Sequence, residues 1–253
     1  DEKRHLDRLE RSLKEIALPM PMARNALVHV LHEVARRNRV TEGLLYMQVS
    51  RGVARRDHAF PAASVPPAPV VTIRRIPPYP ASIDSWGGAA ITHPDLRWAR
   101  RDIKSTALLP NVLARQAARE QGAVEAILHE ADGTVTEGAA TSFWIVDKDG
   151  ALRTRQLGEQ ILPGCTRGAL MALMQDEKVP FVEGPYTLDD VKTAREAFIT
   201  SVSREILPVV QIDNTTIGDG RPGPITQQLI QQFAALVQRD SESFGSEAGS
   251  KAL

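Results

Sequence analysis

The sequence predicts a mixed α/β protein (α+β type) in two parts, a small N-terminal α/β domain and a larger, strand-rich C-terminal domain. Three observations carry that expectation. Apolar residues recur at helical spacing near the N-terminus, the cluster PPYPAS interrupts the chain at 77–82, and short apolar runs separated by turn signals follow it.

Leu6, Leu9, Leu13 and Ile16 share one face of a first helix, and after Pro19 and Pro21 a second resumes with Leu27, Leu31 and Val34. LLYMQVS after Gly43 and APVVTIRRI from Ala68 read as strands. PPYPAS suits neither a helix nor a central strand, because proline lacks an amide donor and fixes φ. It is expected to link a domain at 1–76 to one at 83–240. GAAIT at 88–92 reads as a strand, and 110–121 as a helix closed by Gly122. AVEAILHE, TVTEG, TSFWIVD and ALRTR then read as strands joined by hairpin turns at Asp132-Gly133, Gly138 and Asp149-Gly150, so this half is expected to be antiparallel. A helix TRGALMALM, strands VPFVEG, EAFIT and LPVVQI, and a last helix carrying Leu229, Ile230, Phe233, Leu236 and Val237 complete it. Residues 241–253 are polar and small and are expected to form a disordered tail.

At 253 residues and 42% hydrophobic content the chain can bury a substantial core. Thirty-one basic residues balance thirty-one acidic ones, so no net field recruits nucleic acid or an anionic membrane surface. No apolar run reaches membrane-spanning length and the polar opening segment is no secretory signal, which leaves small-molecule partners and a cytoplasmic location as the expectation. The one cysteine, Cys165, cannot form an internal disulfide, and six scattered histidines offer no zinc spacing. His29 and His32 read as one solvated or half-buried helix face. Gly218-Asp-Gly-Arg-Pro-Gly223 matches a dinucleotide fingerprint, but no second strand and acidic residue follow it and Pro222 and Pro224 remove amides, so it reads as a turn.

Lys104 stands in RDIKSTALLP, between a strand-like segment and a helix start. The positive helix end and the apolar flanks Ile103, Ala107 and Leu108 both favour the neutral amine that a Schiff base requires.

DIKSTALLPNVLA resembles the cofactor-lysine segment of D-amino-acid aminotransferases, in the fold-type IV pyridoxal-phosphate family. EAILH, TVTEG, ILPGCTR, FITSVSREILPV and IGDGRPGPIT follow in the family's order, with HLDRL, YMQVSRG and RRDHAF upstream. The resemblance spans nearly the whole chain. It implies a two-domain homodimer with pyridoxal 5'-phosphate between the domains, held by Lys104 and facing Glu137 at its ring nitrogen. Phosphate contacts are implied at Arg8, at Cys165 and Thr166 where a helix begins, and at Ser201, Val202 and Ser203, Val202 through its backbone. Leu162 is implied to pack on the ring. Arg56 and His58, after the strand bearing Tyr46, resemble the loop that takes the substrate α-carboxylate across the subunit interface. The implied reaction exchanges an amino group between a D-amino acid, such as D-alanine, and a 2-oxo acid, such as 2-oxoglutarate. A branched-chain L-aminotransferase and an aminodeoxychorismate lyase share the lysine and the phosphate grip, whereas the Arg-x-His loop argues against both. Family members begin with several strands and a glycine-rich loop bearing an active-site tyrosine. This chain starts at Asp1, just before HLDRL, so it is expected to be a shortened form of a longer protein lacking those strands. An inactive cofactor-binding or structural subunit is the alternative of another class.

Overall fold

The structure is a computed structural model describing residues 1–76 and 86–250, the last nine of these by backbone alone. The chain divides into two compact units, Glu2–Tyr79 and, with Asp1, Pro80–Leu253. The linker expected at 77–82 lies outside the described residues.

In the N-terminal unit, α1 (Glu2–Glu15) and α2 (Arg24–Arg37) are followed by strands β1 (Gly43–Ser50) and β2 (Ala68–Arg75), paired antiparallel from Gly43↔Arg75 to Ser50↔Ala68. A two-stranded sheet alone is marginal in water. Here Leu6, Leu27 and Leu31 form a core with Leu45, Met47 and Val71 packed against it, so the helices cover one face of the ribbon. His32 Nε2 lies 2.7 Å from Glu2 Oε2, and Arg24 Nη1 donates to Asp7 (2.7 Å) and Glu10 (3.0 Å), tying α1 to α2.

The C-terminal unit is a nine-stranded mixed sheet. Its strands are β3 (Gly88–Pro94), β4 (Glu125–His129), β5 (Val135–Gly138), β6 (Ser142–Val146), β7 (Leu152–Thr154), β8 (Phe181–Glu183), β9 (Glu196–Ser201), β10 (Glu205–Ile212) and the short β11 (Thr215–Thr216). Their spatial order is β5-β4-β3-β10-β9-β6-β7-β8, with β11 beside β10. The antiparallel expectation holds at Asp132-Gly133 and Asp149-Gly150, where β4–β5 and β6–β7 are antiparallel. It fails for β3–β4, β7–β8 and β3–β10, which are parallel. The first two pairs have a helix in their connection, α3 (Leu109–Glu120) and α4 (Cys165–Asp176), and such a crossover returns the chain in the same direction. Gly138 is no hairpin turn either. It is a buried strand residue, and β5 and β6 are not neighbours in the sheet.

Alternation along β6 explains why the run SFWIV is buried throughout. Phe143 and Ile145 join Ile199, Leu207 and Val209 on one face, while Trp144 and Val146 join Phe198, Leu170 and Met174 of α4, and Leu229 and Phe233 of α6 (Pro224–Ser250) on the other. Two elements escaped the sequence reading, β11 and the five-residue α5 (Leu188–Lys192), which the Thr187/Asp190 capping box begins. α6 continues as backbone helix to Ser250. Among the described residues no helix is long and apolar enough to cross a membrane.

The end of α1 stores strain. Leu18 N donates to Leu13 O (2.9 Å) and Ala17 N to Lys14 O (3.0 Å), a Schellman closure with Ala17 at φ 49°. A left-handed alanine meets its own carbonyl through Cβ, so Ala17→Gly is expected to stabilise the chain by ~0.5–1 kcal/mol. Urea unfolding checks this: the midpoint rises with an unchanged slope.

Candidate active site

Glu137 is the residue around which the C-terminal unit is arranged. It lies on β5 and is 4% exposed. A carboxylate so far from water needs compensation. Arg97 Nη1 donates to its Oε1 at 2.6 Å, and the Leu162 amide donates to the same oxygen at 3.0 Å. Arg97 is itself held by Asp95, which accepts from Arg97 Nε (2.9 Å) and Nη2 (2.7 Å) and from Thr136 Oγ1 (2.7 Å). Arg101 adds a cation 3.5 Å from Asp95 and pairs with Glu130.

The two carboxylates diverge in titration although they share one guanidinium. Burial pushes the Glu137 carboxyl up to about 6, with Arg97 only partly offsetting it. Burial also acts on Asp95, but the Arg97 fork, Thr136 and Arg101 outweigh it and hold that carboxyl below the usual range. Both of these bonds to Glu137 fall on Oε1.

Short contacts join the other predicted residues of this unit into one chain. Lys104 follows buried Asp102 and Ile103 in an irregular segment, and Arg101 N donates to Glu159 O at 2.9 Å, stitching that segment to the stretch leading to Leu162. Asn111 Nδ2 of α3 donates to Ala139 O, two residues from Glu137, at 2.6 Å. After Leu162 the chain enters α4 through Gly164, where a Cβ would approach Ser142 Oγ to 2.7 Å. Ser142 is directly opposite Thr200 on β9, so the start of α4, with buried Cys165 and Thr166, lies at the same sheet end as the β9–β10 turn. In that turn Ser201 Oγ and Ser203 Oγ are 3.5 Å apart and Val202 is exposed.

These contacts place Glu137 beside Leu162 and the start of α4, with Cys165 and Thr166, at the sheet end of the 201–203 turn, while Lys104 lies in the segment that Arg101 stitches to Glu159. Arg8, Tyr46, Arg56 and His58 belong to the N-terminal unit. Arg8 on α1 is partly exposed, and Tyr46 on β1 donates to Gln48 Oε1 at 3.1 Å. Arg56 and His58 are exposed in the β1–β2 connection.

The surroundings of Lys104 differ from those expected. α3 starts at Leu109, several residues after Lys104, and Ala107 and Leu108 are exposed, as is Lys104; only Ile103 is buried. The immediate apolar flanks therefore do not desolvate the amine. Sequence reasoning also missed Arg97 and Asp95. The signal available was the density of arginines at 97, 100 and 101 before the lysine, unusual for an otherwise balanced chain.

The donor set fits a phosphorylated pyridine. Glu137 carries a second carboxylate oxygen of the kind a basic ring nitrogen would need, Gly164 stands at the N-cap of α4 and makes no side-chain cap bond, and two serine hydroxyls crown the adjacent turn. Removing Arg97 strands Glu137 and Asp95, so Arg97→Met is expected to cost about 3–5 kcal/mol at pH 8. Glu137 titrates higher folded, about 6, than its ordinary value of 4.5, so the stability linked to it falls as pH rises through that window. Without Arg97 the folded value climbs further, so the deficit in urea unfolding is expected to be smaller at pH 5 than at pH 8.

A family model described as amino-transferase class IV matches residues 1–212. D-alanine aminotransferase of Staphylococcus haemolyticus is 38% identical over 237 residues, covering 94% of this chain and 83% of that one. Among solved structures, the Escherichia coli branched-chain amino acid aminotransferase superposes with a TM-score of 0.81 at 25% identity, covering 92% of this chain and 78% of that one. A branched-chain amino acid aminotransferase from T.th., solved with pyridoxamine 5'-phosphate, gives the same TM-score and identity, over 92% of this chain and 77% of that one. With a buried carboxylate and a stitched lysine segment in one unit, and a family match over most of its length, this chain belongs to the class IV aminotransferases.

Proposed function

We propose that this chain, a pyridoxal-phosphate-dependent aminotransferase, moves an amino group between a D-amino acid such as D-alanine and a 2-oxo acid such as 2-oxoglutarate. The observation that carries the reading is Glu137, buried with one oxygen saturated by Arg97 and Leu162. The relatives' name and the Arg-x-His pattern at Arg56 and His58 support the D-stereochemistry.

Lys104 Nζ would hold the cofactor and would carry the proton removed from the substrate α-carbon. Glu137 Oε2 holds a proton on the ring nitrogen. When bound, the cofactor supplies the electron sink that stabilises charge at the α-carbon. Leu162 packs against the ring and excludes water from it. Amides of Cys165 and Thr166 at the α4 start, the Ser201 and Ser203 hydroxyls, the Val202 backbone and the Arg8 guanidinium bind the phosphate. Arg56 binds the substrate carboxylate through two parallel bonds and His58 adds a donor, with Tyr46 beside them.

A homodimer, in which Arg56 and His58 serve the partner's site, completes the proposal, with the cytoplasm as its location. Its support is an apolar surface: Leu109, Val112 and Leu113, at one helical face of α3, are exposed together with Leu108, Leu96 and Trp98.

Reconstituted protein is expected to show a visible absorption that borohydride bleaches and that Lys104→Ala lacks; a colourless wild type after reconstitution counts against the cofactor role. Incubation with D-alanine and 2-oxoglutarate is expected to release pyruvate, and transfer from L-leucine alone would overturn the stereochemistry. Arg56→Ala is expected to raise KM for D-alanine by about tenfold or more, the scale of a lost charged hydrogen bond, with cofactor titration unchanged. Equal loss of both contradicts the carboxylate role.

A further inference from the structure

The β1–β2 connection runs from Arg51 to Pro67 with neither helix nor strand, a length at which an unanchored loop would be mobile. It is anchored by one side chain. The Arg51 guanidinium donates from Nη1 to Ala17 O (3.0 Å) and from Nη2 to Ile16 O, two carbonyls of the turn that follows α1. Its carbon lies 3.5 Å from the centroid of the Phe60 ring. Phe60 is 64% exposed, so it is not held there by a core. Edge donation and face stacking use different parts of the planar group, which lysine could not reproduce. The span thus closed, 52–59, contains Arg56 and His58.

Other contacts stiffen the same arc. Gly52 takes φ 94°, and a Cβ there would come within 2.2 Å of Pro66 O, so the two ends of the connection pass close together. Asp57 Oδ1 accepts from the His58 amide (2.6 Å) and the Ala59 amide (3.3 Å), fixing the backbone beside Arg56 and His58. Arg51 is occupied by this tie, whereas Arg56 and His58 sit in solvent-exposed positions.

We infer that Arg51 and Phe60 are positioning residues: their stacking ties the 52–59 arc to the end of α1 and so fixes how Arg56 and His58 are presented to a substrate carboxylate. The inference rests on the carboxylate role of Arg56 proposed above. A preset loop conformation lowers the entropic cost of binding, so the tie acts on KM and leaves chemistry at Lys104 alone.

Phe60→Leu removes the ring and leaves the bonds of Arg51 to the turn after α1 in place, which separates positioning of the arc from support of that turn. In the reconstituted full chain, trypsin cleavage after Arg55 or Arg56, read by fragment mass, is expected to rise about fivefold, and KM for D-alanine to rise by a similar factor. The kcat, the cofactor titration and the unfolding midpoint stay near wild type. Phe60→Trp, which preserves a ring for the guanidinium, is expected to restore both readouts, and Arg51→Lys to reproduce the loss. Unchanged cleavage in Phe60→Leu overturns the tie. Raised cleavage with unchanged KM, where Arg56→Ala does raise KM, overturns its link to substrate binding. An Arg56→Ala variant with unchanged KM removes the carboxylate reading itself, while the cleavage comparison still decides whether the tie exists.

Discussion

Burying the Glu137 carboxylate constrains much of the C-terminal unit. An ionised group taken from water costs several kcal/mol unless charge and hydrogen bonds replace the solvent, and here one guanidinium and one backbone amide do so. Each then demands a fixed position. Arg97 must keep its fork on Asp95 while reaching Glu137, and Leu162 must present its amide, which sets the path of the chain into α4. The start of that helix follows from where Leu162 is pinned.

The same arrangement explains how neighbouring carboxylates differ in character. Asp95 receives the bidentate edge of Arg97, a threonine hydroxyl and the proximity of Arg101, and stays readily ionised. Glu137 receives the remaining nitrogen and keeps a raised proton affinity. A group poised near neutrality, with one oxygen saturated, is suited to share a proton with a basic ring nitrogen. The two bonds that Glu137 accepts fall on a single oxygen.

The N-terminal unit works on a different principle. Its sheet is two strands under two helices, too small to bury a long connection, so the arc bearing Arg56 and His58 is ordered by backbone geometry and one stacked guanidinium. Surface order of this kind is weak per contact and depends on several small terms acting together.

Local pattern made most elements legible. The spacing of Leu6 and Leu13, the alternation in GLLYMQVS and the turns at Gly133 and Gly150 need only neighbours in sequence to be interpreted, and the ordered motifs from DIKSTALLP to IGDGRPGP pointed to the family. The parallel pairs were misread because strand direction depends on what crosses between strands. Likewise the immediate flanks of Lys104 suggested a desolvated amine, yet Ala107 and Leu108 are exposed. What the sequence by itself determined was the set of elements and the chemistry of the candidate residues. Only the tertiary structure decided that Arg97 holds Glu137, forty residues away, that Glu196 from β9 caps α6 through the Ile225 and Thr226 amides, and that Arg51 stacks on Phe60. The physical reason is that charge compensation and capping act through space, and no periodicity records which distant side chain will supply them.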